Sequence, residues 1–232
     1  MPPIEAKSVP PQVVTGRLIT LLPDIAAALA FRLACYAAMT WLALWAELRP
    51  APTVPDLLIS GVPYIPWIDR VNYIAWLMLY VPLSATFLIT LPARWVRYMF
   101  TGGVISLLRG VCIAVTGLGP ANGSSGGAGM PGFRYNEAFI DLLSPVAIFG
   151  RGAAHLFLTK DMFFSGHTAT TFLVVLYLWD RPRLRWLALA AHVIVVSTVV
   201  FSHLHYAIDI LGAYAFTFAV FAYREWRPAL QS

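Results

Sequence analysis

The chain is a succession of long, unbroken apolar runs that end at polar or basic residues. A membrane-spanning helix needs roughly 20 mostly apolar residues, and six runs approach that length, at 25–46, 71–91, 98–118, 163–179, 186–201 and 204–223. The fourth and fifth are short, but polar ends and neighbouring helices can make up the difference. Strands of a membrane β-barrel would alternate over about ten residues. The pattern therefore predicts an all-α membrane protein, a bundle of six transmembrane helices.

Composition supports a membrane protein and excludes two other classes. Of 232 residues, 59% are hydrophobic and 12% are charged, against about a quarter charged in a soluble domain. This excludes a conventional soluble domain and intrinsic disorder. The net charge of +5 comes from basic residues at the ends of apolar runs, so no nucleic acid partner is expected. Both cysteines lie inside apolar runs, and no disulfide framework is indicated.

The basic residues also predict the orientation in the membrane. With six spans both termini share a side, which carries nine Lys and Arg residues against five on the other side. Arg32 and Arg109 fall inside spans and are not counted. By the positive-inside rule both termini are cytoplasmic. We divide the chain into a loose N-terminal tail (1–16), a six-helix membrane domain (17–224) and a short C-terminal tail (225–232). The first apolar run starts too late, and lacks the cleavage site, for a signal peptide.

The connections on the outer side differ in length. The segment 119–160 begins with the Gly-rich stretch 119–129 and turns apolar from 137 to 157, where we expect a short interfacial helix. Only about two residues, Ser202 and His203, separate the last two predicted helices. Those helices are therefore predicted to be antiparallel neighbours.

An ionisable group inside a span is a functional candidate by default. The last predicted helix has one such acid, Asp209, four residues after His205. On an α-helix this spacing places both side chains on one face, about 6 Å apart along the axis. A carboxylate there can hold one imidazole nitrogen protonated and leave the other free to attack.

The fourth predicted helix begins near the same outer membrane face. Ser165 can cap it, Gly166 permits close backbone approach, and free N–H groups at the helix start suit an anion. His167 stands in the first turn. Two histidines and an acid thus converge at one face beside an anion-binding helix end. That arrangement suits phosphoryl transfer, with one histidine as nucleophile and the other as general acid.

The motifs resemble those of the sphingomyelin synthase family, within the type 2 lipid phosphatase superfamily. The resemblance runs from about residue 54 to residue 223. Pro55-Asp56 is similar to the first family motif, and Arg97 with Arg109 to the second. Asp161 to Thr168 matches the third, and His203-Leu-His205-Tyr206-x-x-Asp209 the fourth. Phe164 before Ser165, and Thr198-Val199 where phosphatases carry Ser-Arg, favour the synthase branch.

The resemblance implies a transferase that moves a phosphorylated head group from a glycerophospholipid to a lipid alcohol, ceramide or diacylglycerol. It implies that His205 is the nucleophile and forms a phosphohistidine, that Asp209 orients it, and that His167 exchanges protons with the lipid oxygens. No cofactor and no metal are expected. The candidates for substrate binding are Arg109, Asp161, Ser165, Gly166, Tyr206 and His203. We expect a bacterial inner-membrane protein with a periplasmic or exoplasmic active site. Whether the chain forms a homo-oligomer is left open.

Alternatives remain for the function and for single residues. Water as acceptor would make the protein a phospholipase C or a lipid phosphatase, and a transporter or membrane scaffold is a further alternative. Arg109 can clamp phosphate, or pair with Asp56 or Asp161. Asp161 can instead cap the fourth helix, and Asp56 can serve only a loop turn. The remaining three histidines can have structural roles. His203 can be a loop residue. His192 and His155 can be histidines without a part in the reaction, with His192 hydrogen-bonded to a neighbour.

Overall fold

The fold is helical throughout the part of the chain that the structure, a computed structural model, describes: residues 18–121, 135–144 and 158–226. No strand occurs in these ranges, which confirms the all-α class for them. The helices are α1 (Leu22–Glu47), α2 (Leu57–Ser60), α3 (Pro66–Thr90), α4 (Pro92–Val115), α5 (Tyr135–Leu143), α6 (Gly166–Tyr177), α7 (Pro182–Phe201) and α8 (Ala207–Glu225). The tail 1–16, His155 and most of the Gly-rich stretch lie outside the described residues.

Five helices, α1, α3, α4, α7 and α8, are long and apolar enough to cross a membrane. The chain is therefore a multi-pass integral membrane protein. The fourth predicted span contains only α6, whose 12 residues extend about 18 Å, less than the hydrocarbon core of about 30 Å. Residues 163–165 of that run are not helical, because they form the loop that leads into α6. Six spans and cytoplasmic termini remain predictions.

Helices α1 and α4 run parallel to each other, and their close packing depends on glycine residues on α4. A Cβ atom at Gly110 would lie 2.8 Å from the Cα atom of Met39, and one at Gly103 would lie 2.6 Å from the ring of Phe31. The absence of side chains at these positions allows the two helices to approach closely. The rest of the core lies around α6, which packs against α4, α7 and α8.

A buried histidine joins the three helices at the end of the chain. His192 on α7 is 2.8 Å from the hydroxyl of Thr171 on α6 and 2.8 Å from the hydroxyl of Tyr214 on α8. The prediction that His192 bonds to a neighbouring side chain is confirmed. Because both ring nitrogens are engaged, this histidine has a structural role.

The connection between α7 and α8 is longer than predicted. It comprises the five residues 202–206, and α7 and α8 pack chiefly against α6 rather than against each other. His203 adopts a left-handed backbone conformation with φ of 47°, which cannot continue α7. The prediction of a two-residue connection is therefore wrong, and His205 precedes α8 instead of lying on it.

Candidate active site

His205 and Asp209 form the buried pair that the sequence predicts, but the geometry is that of a helix start. Nδ1 of His205 lies 3.2 Å from Oδ2 of Asp209, the third residue of α8. The same oxygen accepts a hydrogen bond from the backbone N–H of Tyr206 (3.0 Å), and Oδ1 accepts one from Phe163 (3.1 Å). Asp209 is fully buried. A carboxylate oxygen accepts hydrogen bonds, so Nδ1 of His205 donates to Asp209 and Nε2 remains for chemistry.

His167 is the second residue of α6 and so lies in the first turn, as predicted, although the predicted apolar run begins three residues before this helix. The Ser165 hydroxyl caps the helix, accepting a hydrogen bond from the backbone N–H of Thr168 (3.4 Å). Gly166 provides the expected close approach, since a Cβ atom there would lie 3.3 Å from Nε of Arg109. The first turn of α6 therefore brings His167, the N-terminal end of a helix and the guanidinium of Arg109 to one place.

Arg109, on α4, holds the loop that leads into α6. Its Nη2 donates to Oδ2 (2.7 Å) and to the carbonyl oxygen (3.0 Å) of Asp161, and its Nε donates to the carbonyl oxygen of Phe164 (2.6 Å). Of the two acids that the sequence offers as partners, Asp161 is the one observed. Burial alone would raise the pKa of Asp161, but Arg109, His205 and His167 outweigh burial and hold that pKa below its usual value.

The loop that leads into α6 is also held at Thr159 and Lys160, just before Asp161. The buried carboxylate of Glu47, at the end of α1, accepts hydrogen bonds from the backbone N–H (2.5 Å) and the hydroxyl (2.9 Å) of Thr159 and from the backbone N–H of Lys160. The ammonium of Lys160 donates to the carbonyl oxygens of Glu47 (2.9 Å) and Arg49 (2.7 Å). Residues 159–164 are thus fixed between α1 and α4.

We expect the contributions of Arg109 and Asp161 to the free energy of unfolding to be strongly coupled. Arg109→Gln should lower the free energy of unfolding by about 3 kcal/mol, because a partly buried carboxylate and a carbonyl lose their donor. Asp161→Asn should cost less, and the double variant less than the sum. Unfolding of the purified protein in detergent measures all three. Additive losses would show that the pair is not coupled.

Because the pKa of Asp161 is lowered in the folded protein, the stability that Asp161 contributes should depend on pH. Its contribution to stability is present above the ordinary pKa of an aspartate and is lost as the pH falls through the lowered folded-state pKa. The Asp161→Asn variant should therefore lose less stability than the native protein between neutral and strongly acidic pH. An identical acid dependence in both proteins would contradict this.

Tyr206 and His203, two predicted binding residues, hold loops beside the site in place. The buried Tyr206 hydroxyl donates to the carbonyl oxygen of Gly119 (3.1 Å) and accepts from the backbone N–H of Val54 (3.3 Å). Nε2 of His203 lies 3.0 Å from the carbonyl oxygen of Val62. Neither residue lines the cavity described below, so both support the site from outside.

Asp56 does more than stabilise a turn in its own loop, because it also contacts the start of α8. Its Oδ1 accepts hydrogen bonds from the backbone N–H groups of Leu58 (2.9 Å) and Ile59 (3.1 Å), which caps α2. Its Oδ2 accepts a third from Ala207 (2.6 Å), the first residue of α8. Asp56 therefore connects the loop between α1 and α3 to the helix that carries Asp209.

A cavity of about 560 Å³ joins these groups. His167, His205, Asp161 and Arg109 line one part of it, and apolar and aromatic side chains line most of the rest. These include Leu29, Leu33, Tyr36, Tyr73, Trp76 and Tyr80 from α1 and α3. Leu29 and Leu33 are also 46% and 58% exposed, so the cavity is open beside α1. A polar reaction centre and an apolar entrance together suit an amphiphilic substrate.

Several polar residues of the cavity, among them Arg32 and Asn72, were not among the predicted site residues. Arg32 lies on α1 and Asn72 on α3, and both line the cavity. Arg32 could have been found, because an ionisable side chain inside a span is itself a signal. Asn72 carries no such signal, since a single amide near a helix start is common.

No group of three His, Cys, Asp or Glu side chains is placed to hold a metal ion within residues 18–121, 135–144 and 158–226. The chemical groups observed at the site are two imidazoles, the buried carboxylate of Asp209 and the Arg109–Asp161 pair. Those groups suffice for attack on phosphorus and for proton transfer to an oxygen.

Comparison with known families agrees with this chemistry. Residues 160–226 match the family model of the PAP2 superfamily C-terminal domain. The matched segment contains His167, His205, Asp209 and Asp161. No curated protein matches the chain. The family match supports the type 2 phosphatase superfamily, and with it an enzyme of the phosphatase or phosphotransferase type.

Proposed function

We propose that the protein is an integral-membrane lipid phosphotransferase of the sphingomyelin synthase type. It moves a phosphorylated head group from a glycerophospholipid to a lipid alcohol, ceramide or diacylglycerol. One observation carries the proposal: His167 and His205, which is paired with the buried Asp209, line the same cavity, and that cavity has an apolar entrance. A substrate whose phosphorus lies between two imidazoles and whose chains leave among apolar side chains fits this arrangement.

The first half of the reaction transfers the head group to the protein. Nε2 of His205 attacks phosphorus while Asp209 holds the Nδ1 proton and stabilises the charge that forms on the ring. The bond between phosphorus and the glycerol oxygen breaks. His167 donates a proton to that oxygen, and diacylglycerol leaves. The head group remains bound to His205 as a phosphoramidate.

The second half returns the head group to a lipid. The hydroxyl of the acceptor takes the place of diacylglycerol, and His167, now neutral, removes its proton. The hydroxyl oxygen attacks phosphorus and the bond to Nε2 of His205 breaks. Each histidine is thereby restored. The helix start at α6 lies where negative charge develops on the phosphoryl oxygens.

The site is proposed to face the periplasmic or exoplasmic side of a bacterial inner membrane. The distribution of Lys and Arg supports this orientation, since His167 and His205 then lie on the side opposite both termini. The apolar opening beside α1 would admit lipids from the bilayer. No oligomer is required for the proposed reaction, because one chain supplies both histidines.

A transfer assay tests the proposed function. Purified protein is given head-group-labelled phosphatidylcholine, phosphatidylethanolamine or phosphatidylinositol, with ceramide or diacylglycerol as acceptor. A labelled lipid product supports the proposal. Free phosphorylated head group or inorganic phosphate without a lipid product would show that water is the acceptor and that the protein is a phospholipase C or lipid phosphatase. No reaction with any pair would reject the proposal.

The role of His167 predicts a dependence on the leaving group. His167→Ala should slow transfer from a diacylglycerol donor by about a hundredfold to a thousandfold, because the departing alkoxide loses its proton donor. A donor whose leaving group is p-nitrophenolate needs no proton. Release of p-nitrophenol in a first turnover should therefore be nearly unchanged in the variant.

The comparison is made in single-turnover experiments with both donors on the same two proteins. His192→Ala, which removes a structural histidine, serves as the control and should not separate the two donors. An equal loss with both donors in His167→Ala would mean that His167 is not the general acid.

A further inference from the structure

Arg32 is a charged residue in the middle of a membrane-spanning helix. It is the eleventh residue of the 26-residue α1. Its charged group therefore lies far from the water at both ends of the helix. Its guanidinium lies against Gly102 on α4, where a Cβ atom would be 2.7 Å from Nη1. The side chain lines the cavity that also contains His167 and His205. An intramembrane cation whose side chain lines a cavity is a functional candidate.

No carboxylate neutralises this cation among the residues that the structure describes. Nη1 of Arg32 is buried and has no hydrogen-bond partner there. The acids around the cavity are already paired: Asp161 with Arg109, and Asp209 with His205. A buried donor without an acceptor is unfavourable, because its contacts with water are lost and not replaced. Arg32 therefore carries an unused N–H donor at Nη1, on a side chain that lines the cavity.

The depth of Arg32 indicates which part of a lipid it meets. Gly102 and Arg109 are seven positions apart on α4, which is about 10 Å along the helix axis. Ser106, another cavity residue, lies between them. Arg32 is thus deeper in the bilayer than the reaction centre. In a lipid whose phosphorus lies at the histidines, the carbonyl groups that join the head to the chains lie a few bonds deeper.

We propose that Arg32 binds a carbonyl oxygen of the ester or amide linkage of a bound lipid and so fixes the depth at which that lipid lies in the cavity. This inference rests on the proposed function for the identity of the substrate. A carbonyl oxygen has lone pairs for the unused N–H and needs no counter-charge. The apolar side chains around Arg32, among them Leu29 and Leu33, would accommodate the chains beyond the linkage.

Matched lipids with and without carbonyl groups test the inference. The donors are a diacyl phospholipid and its dialkyl ether analogue, and the acceptors are diacylglycerol and dialkylglycerol. The native protein should show a KM for the ester lipid about tenfold to a hundredfold lower than for the ether lipid, as expected for a hydrogen bond to a charged group, with little change in kcat. Arg32→Gln should remove this preference, and Arg32→Lys should retain part of it. The lipid pair that shows the preference identifies whether donor or acceptor contacts Arg32.

Binding of the same lipids, measured by native mass spectrometry in detergent, does not depend on turnover. Equal affinity of the native protein for ester and ether lipids, or an undiminished ester preference in Arg32→Gln, would overturn the inference. The proposed transfer reaction would survive that result. Conversely, an ester preference in binding without any head-group transfer would support the lipid site and reject the proposed function.

Discussion

Replacement of His205 by alanine is expected to reduce head-group transfer by at least about 10⁴-fold. The variant has no Nε2 at this position to attack phosphorus. The measurement is the initial rate of lipid product formation with a labelled donor. Transfer at more than a hundredth of the native rate would show that His205 is not the nucleophile.

The control for this experiment is a second buried histidine. His192 is bonded to Thr171 and Tyr214 and lies outside the cavity lining. His192→Gln retains one of its hydrogen bonds and should lower thermal stability without a comparable loss of transfer. If both variants lose activity in proportion to their stability, the loss in His205→Ala would be structural rather than chemical.

Replacement of Asp209 by asparagine is expected to cost about 10⁴-fold in transfer. An asparagine oxygen can accept from Phe163 or Tyr206, but its NH₂ group cannot accept from Nδ1 of His205. The ring then favours the tautomer that carries its proton on Nε2, which cannot attack. Burial of the uncharged amide keeps most of the packing, so the variant should still fold.

The Asp209 prediction is checked by transfer rates and by thermal unfolding of the same preparation. A matched control is Asp180→Asn, which removes a carboxylate that is paired with Arg94 at an exposed position. That change should alter neither quantity much. Normal turnover in Asp209→Asn would contradict the assignment of Asp209 as the residue that orients His205.

Much of the site was predictable because it depends on local sequence. The spacing of His205 and Asp209 predicts that they meet, and Ser165 before Gly166 predicts where α6 begins. The pairing is confirmed, yet its reason differs from the predicted one. His205 lies before α8, and the carboxylate of Asp209 reaches back to it from the first turn of that helix. Both geometries bring residues four apart together, so the error did not affect the pair.

The remaining features depend on contacts between distant segments. The partner of Arg109 could not be read from the sequence, because Asp56 and Asp161 both lie in outer loops. It is decided by how the loop before α6 is held, which depends on Glu47 at the end of α1. The length of α6 is a similar case: residues 163–165 are apolar enough for a span, but their backbone is bonded to Arg109 and Asp209 instead of continuing the helix.

The central claim is that the head group passes through His205. The direct measurement is rapid mixing of the protein with a head-group-labelled donor in the absence of acceptor, an alkaline quench that preserves phosphoramidates, and mass spectrometry of the peptides. The account predicts label on the peptide that contains His205, and its disappearance when a lipid alcohol is added. Label on a different residue, or rapid transfer without a labelled histidine at any time, would contradict it.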